Sequence, residues 1–105
     1  MEGRHLLHVP FYSPDFSYHI NLDRRDQQFE IKETITNTIY KMMPKDLISF
    51  TMGDKEHGPL NGINRMHWIN NNLIRIVNRK GIEKIIDFQD NFKEIHANVI
   101  LNLIK

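Results

Sequence analysis

From Phe16 to Leu22 the chain alternates strictly. Phe16, Tyr18, Ile20 and Leu22 are apolar, while Ser17, His19 and Asn21 are polar. Period-two alternation predicts a half-buried strand. The alternation returns in residues 47–52, with Ile48, Phe50 and Met52 on one face, and in residues 65–69, with Met66 and Trp68 on one side. Both are read as strands. Residues 73–77 are apolar on both faces except at Arg75, which suits a central strand. The turn NRKG follows, where Gly81 can take positive φ, and residues 82–88 complete a hairpin. Near the start, residues 5–9 read as a short strand ended by Pro10, and residues 10–15 as a turn holding Pro10 and Pro14.

Two stretches carry a helical period. Ile31, Ile35, Ile39 and Met42 recur at three- and four-residue steps within residues 27–43, after a polar break in which Asp23 or Asp26 can cap. The β-branched run TITNTIY favours a strand there instead. The spacing and the stop at Pro44 favour the helix. At the end, Asp90 can cap a helix whose stripe is Phe92, Ile95, Val99 and Leu103, widened by Ile100 and Ile104. The order β-β-α-β-β-β-β-α predicts an α+β fold: one globular domain over residues 1–105, a mainly antiparallel sheet of about five strands, and two helices.

Composition narrows the chemistry. The chain has 105 residues, no cysteine and a formal net charge of +1 from 14 basic and 13 acidic side chains. The missing cysteines exclude disulfides, a thiol nucleophile and zinc sites built on sulfur. The charge balance lacks the basic excess usual in a dedicated nucleic-acid binder. No apolar run approaches the length of a membrane helix, and MEGRHLLHVP lacks the apolar core of a signal peptide. The expectation is a monomer with no membrane or nucleic-acid partner and no cofactor. It is either cytosolic or a mature secreted form with Met1 added. The weight of Ile, Asn and Lys points to a low-GC genome.

Six histidines invite catalysis, but no ligand spacing accompanies them. His5 and His8 fall on opposite faces of the predicted strand. His19 and His67 form an acid–base pair only if their strands are neighbours. No nucleophile elbow, P-loop or dinucleotide glycine pattern is present. Arg65, Trp68, Arg75, Arg79, Lys80 and Lys84 offer a basic hairpin for phosphates and a base, diluted by Glu83 and Asp87. That is the alternative reading: a small nucleic-acid-binding regulatory module.

The loop GDKEHGPLNG, residues 53–62, holds three of the five glycines. It is longer than a hairpin needs, and long ordered loops are often functional. Asp54, Glu56, His57, Leu60 and Asn61 are its candidate partner contacts. On the predicted helix, Asp26, Glu30 and Glu33 share an acidic face suited to a basic partner, and Glu30 and Glu33 are the contacts expected from it. Asn70, Asn71 and Asn72 suit a turn, and Asn71 adds an exposed amide as a further contact.

Through HVPFYSPDFSYHINLDRR and HGPLNGINRMHWINNN the chain resembles the small secreted effectors of phytoplasmas. The likeness is greatest to the type that bridges plant SPL and GATA zinc-finger transcription factors to the proteasomal ubiquitin receptor. The resemblance spans the whole chain. It implies an adaptor rather than an enzyme, secreted from the bacterium and acting in the host cytoplasm and nucleus. One surface would hold the zinc-finger domain, and another the von Willebrand A domain of the receptor. The transcription factor would then be degraded without ubiquitin.

Overall fold

From Tyr18 the expected alternation is realised as β1 (Tyr18–Asp23), which turns Ile20 into the core and leaves His19 and Asn21 on the other side, whereas Phe16 precedes the strand with φ 63° and is exposed. The computed structural model describes residues 11–95. β1 pairs antiparallel with β2 (Gln28–Glu33), and β2 with β3 (Ile39–Met42). A second antiparallel sheet has the order β4 (Ile63–Trp68), β5 (Leu73–Asn78), β6 (Glu83–Asp87) and β7 (Lys93–Ile95). The fold is α+β, as expected; among the described residues there are seven strands in two sheets rather than about five in one. Among the described residues the only α-helix is one turn, α1 (Lys45–Ile48).

The helix expected over residues 27–43 is instead the β2–β3 hairpin. Phe29 and Ile31 alternate inward against Leu22 and Ile20 of β1. Ile35, expected on the buried helical face, sits at the hairpin tip and is 96% exposed. The β-branched residues suit extended backbone. The tip closes with Glu33 N–H donating to Thr38 O at 2.9 Å, and Asn37 takes the left-handed φ of 59° that asparagine tolerates.

The strand expected over residues 47–52 is also corrected. Pro44, read as a helix stop, opens α1: the amides of Leu47 and Ile48 both donate to its carbonyl. Proline suits a helix start because its missing N–H and fixed φ cost nothing there. A 3₁₀ turn (Ser49–Thr51) follows and ends at Met52, with φ 61°. Ile48 and Thr51 are buried, a helical step of three rather than the alternation that the sequence offered.

The hairpins β4–β5 and β5–β6 form as predicted, and β5 is buried along both faces except at Arg75. In the NRKG turn, Asn78 N–H donates to Ile82 O, and Gly81 takes φ +84°. Asp87, not Asp90, caps the next turn: its carboxylate accepts from the amides of Gln89 and Asp90. Phe92 is in the core and Ile95 is in β7, paired with Ile85. The rest of the expected C-terminal helix, and the expected strand at residues 5–9, lie outside the described residues.

One core joins the sheets. Ile20, Phe29 and Ile31 of the first pack in a single cluster with Ile74, Ile76 and Ile86 of the second, together with Ile48, Leu60, Phe88 and Phe92. A smaller cluster, Leu73 and Ile85 with Ile69 and Ile95, lies on the other face of the second sheet.

Candidate functional site

The loop at residues 53–62 is folded, not slack. Asp54 and Gly58 form an antiparallel bridge, and the Gly58 amide donates to Asp54 O at 2.9 Å. The Asp54 carboxylate accepts from the His57 amide at 2.6 Å and lies 3.0 Å from the His57 ring Nδ1. The amide hydrogen bond, then the ring contact, holds the Asp54 carboxyl below its ordinary pKa. Gly58 then takes φ +88°, and a 3₁₀ turn (Pro59–Gly62) returns the chain to β4. Gly53 and Gly62 are needed for close backbone approach: a side chain at Gly62 would overlap the Thr51 carbonyl.

Leu60 anchors this loop and, at 1% exposure, offers no surface to a partner. Its amide donates to Gln27 Oε1 at 2.9 Å, and the Thr51 hydroxyl bonds Pro59 O. Lys55, Glu56, His57 and Asn61 point outward from that platform, with Asp54 half-buried beneath. Asp54, Glu56, His57 and Asn61 therefore lie together on this loop.

The remaining candidates separate. The acidic face expected of Asp26, Glu30 and Glu33 does not form, because the segment is not helical. Glu30 is 5% exposed and accepts from Asn21 Nδ2 at 2.9 Å, so it too is not presented to a partner. Glu33 is half-buried opposite Tyr18 at the start of β1, where its carboxylate accepts from Thr36. Asn71 is exposed, and its Oδ1 accepts from the Asp15 amide at 3.0 Å. Asn70 shapes that turn by accepting from the amides of Asn72 and Leu73. Asn71 and Glu33 thus adjoin the beginning of β1, whereas the loop at 53–62 leans on Gln27, just beyond its end. The six residues of β1 put roughly 17 Å between these ends.

The other constellations resolve into structural contacts. Arg75 binds Glu83 through Nε at 2.7 Å, and Lys84 pairs with Glu94 at 3.0 Å while lying over the Phe50 ring. Trp68 packs on the core and donates Nε1–H to Phe11 O at 3.0 Å. Of the basic hairpin, Arg79 and Lys80 stay exposed at the turn, and Arg65 is exposed on the edge strand β4, where it pairs with Val77 next to that turn. His19 and His67 belong to different sheets and share no hydrogen bond. His19 stacks near Tyr12, lies 3.5 Å from Thr34 Oγ1, and has its pKa lowered first by burial and then by the charge of Lys32. Among the described residues, no three His, Asp or Glu side chains converge in a group able to hold a metal.

One feature escaped the sequence. Between β1 and β4 lies an open cleft of about 470 Å³, lined by Phe11, Leu22, Arg24 and residues 63–67. A neighbouring cleft shares Phe11, Leu22 and Arg24 and adds Tyr12, His19 and Asn21. No local pattern marks the larger cleft, because Arg24 and Arg65 meet only through the packing of two sheets.

No family model matches this chain, and no curated protein or solved structure matches it either.

Proposed function

We propose that the protein is a secreted bacterial effector that works as a bimodular adaptor in the host cytoplasm and nucleus. One surface holds the zinc-finger domain of an SPL or GATA transcription factor. Another holds the von Willebrand A domain of the proteasomal ubiquitin receptor, and the factor is degraded without ubiquitin. The resemblance described above supplies the partners. The structural observation that supports an adaptor is the pair of separate polar surfaces at opposite ends of β1. The preorganised loop with Asp54, Glu56, His57 and Asn61 is at one end, and Asn71 with Glu33 is at the other. A rigid loop spends little ordering entropy on binding. The carboxylates of Asp54 and Glu56 suit a zinc-finger domain made basic for DNA.

Pull-down from plant extract with the full chain tests this reading. Both a zinc-finger factor and a proteasome subunit are expected. Glu56→Lys should weaken capture of the factor and leave capture of the proteasome subunit intact. Recovery of neither class would sink the proposal. The nucleic-acid alternative finds no specific support, because Arg75 and Lys84 are already paired with carboxylates.

A further inference from the structure

The cleft between the sheets has an unusual lining. Five consecutive residues of β4, Ile63 to His67, border it. Past the bulge between Ile63 and Arg65, the side chains of Arg65, Met66 and His67 alternate between the two faces, so a cleft lined by all three runs along the strand's edge rather than over a face. That edge is open. β4 is the outermost strand of its sheet, with β5 on one side and no strand on the other among the described residues. β1 is likewise outermost, and its bridge to Tyr12 reaches only as far as His19. Below that point two strand edges border one groove.

The floor is apolar, from Phe11, Leu22 and Met66, and the rim carries Arg24, Arg65 and His67. Among the described residues no carboxylate lines it. Among the described residues, neither arginine makes an ion pair, and both are exposed. Asp23, the nearest acid in sequence, is turned to the β1–β2 turn, where it accepts from the amides of Arg25 and Asp26. An unpaired strand edge beside an apolar trough is the arrangement that accepts an added strand. Unmatched cations on the rim select its charge.

We propose that this groove docks an extended acidic segment of another protein, added as a strand along β4. Its alternate apolar side chains enter the Phe11–Leu22–Met66 trough, and its carboxylates meet Arg24 and Arg65. A nucleic acid fits less well. The floor is mainly aliphatic, whereas single strands are held by stacking on aromatic side chains. This inference does not rest on the adaptor reading, and it uses neither polar surface assigned there.

The test uses the full chain, with Met66 carrying a labelled methyl group for NMR, and three probes. These are a short peptide alternating glutamate with valine, its lysine-for-glutamate counterpart, and single-stranded oligothymidylate. The glutamate peptide is expected to bind, to shift the Met66 methyl signal, and to weaken as salt rises. Arg24→Glu and Arg65→Glu should each reduce its affinity by about tenfold, while leaving the melting temperature unchanged, because both side chains are exposed. Equal binding of the lysine peptide, failure of the glutamate peptide to bind, or binding that leaves Met66 unmoved would each overturn the proposal. So would preferential binding of the oligonucleotide, or self-association in sedimentation that Arg65→Glu abolishes, since a second copy would then occupy the groove. The pull-down of the adaptor partners is read independently through Glu56.

Discussion

Asn78 is the polar residue on which most local order converges. It is buried, its Nδ2 donates to Phe50 O at 3.0 Å, and its Oδ1 accepts from the amides of Lys80 and Ile82. One side chain therefore ties the 3₁₀ turn after α1 to the β5–β6 turn. Asn78→Ala removes three hydrogen bonds and strands their partners, at a cost of about 2–3 kcal/mol. For a chain this size that lowers the melting temperature by roughly 10 °C. Arg79→Ala, one residue along and exposed, should change stability by less than about 0.5 kcal/mol. Equal losses in the two variants, by thermal denaturation, would contradict the assignment. His19 gives a second test at this scale. Burial and then Lys32 lower its pKa, with a contact to Asn37 opposing them, so the folded protein resists the proton. Near neutral pH the ring is uncharged in both states. As pH falls below about 6.5 the unfolded chain takes the proton first, and stability drops until the folded state is protonated as well. His19→Gln should flatten the fall in melting temperature between pH 7 and pH 5. Asp15 and Asp54, whose pKa values are lowered from 3.8, act only in more acid solution. An unchanged slope in His19→Gln would remove His19 from the pH response.

At the scale of elements, the β2–β3 hairpin separates what the sequence could carry from what it could not. Ile31 and Ile35 fall on one face of a helix but have opposite fates in the hairpin: Ile31 is fully buried and Ile35 is 96% exposed. Ile31→Ala should cost about 3 kcal/mol, as loss of a packed core side chain does. Ile35→Ser should be near neutral, and its exposed tip should gain solubility. Comparable losses at both positions in urea denaturation would restore the helix. The strands β1, β4, β5 and β6 were legible because each pattern is short, alternating or doubly apolar, and bounded by turn residues such as Gly81. The helical spacing of Ile31, Ile35, Ile39 and Met42 misled because two adjacent strands and a tip can reproduce three- and four-residue steps by chance. Pro44 misled because a proline that cannot continue one helix is well suited to begin another. In the candidate site, the polar loop at 53–62 was visible from its glycines. The burial of Glu30 was not, because it follows from β2 being the central strand between β1 and β3, nor was that of Leu60, which is set by what packs across from it. The cleft was invisible for the same reason.

Across the whole molecule, Phe88 is the residue through which the two sheets answer to each other. It is fully buried, and its ring lies 5.3 Å from Tyr18 and 6.2 Å from Tyr40 of the first sheet and 5.5 Å from Trp68 of the second. Edge-on aromatic contacts add to the burial itself, and each ring here depends on both sheets being in place. The three-stranded sheet with its turns is too short a stretch of chain to bury a stable core of its own. The two sheets should therefore unfold together. Trp68 reports the junction, because its ring touches Phe88 and its Nε1–H binds Phe11 O. Its fluorescence and the far-ultraviolet circular dichroism of all seven strands should give one coincident transition in urea. Phe88→Ala should move both curves together by about 3–5 kcal/mol, a large share of the stability of a small domain. If the tryptophan signal changed first while the strand signal persisted, the sheets would be separable units. The two polar surfaces proposed for an adaptor, at opposite ends of β1, would then no longer be held at a fixed spacing. Coincident curves would mean that a partner bound at one end meets a partner bound at the other across a single rigid body.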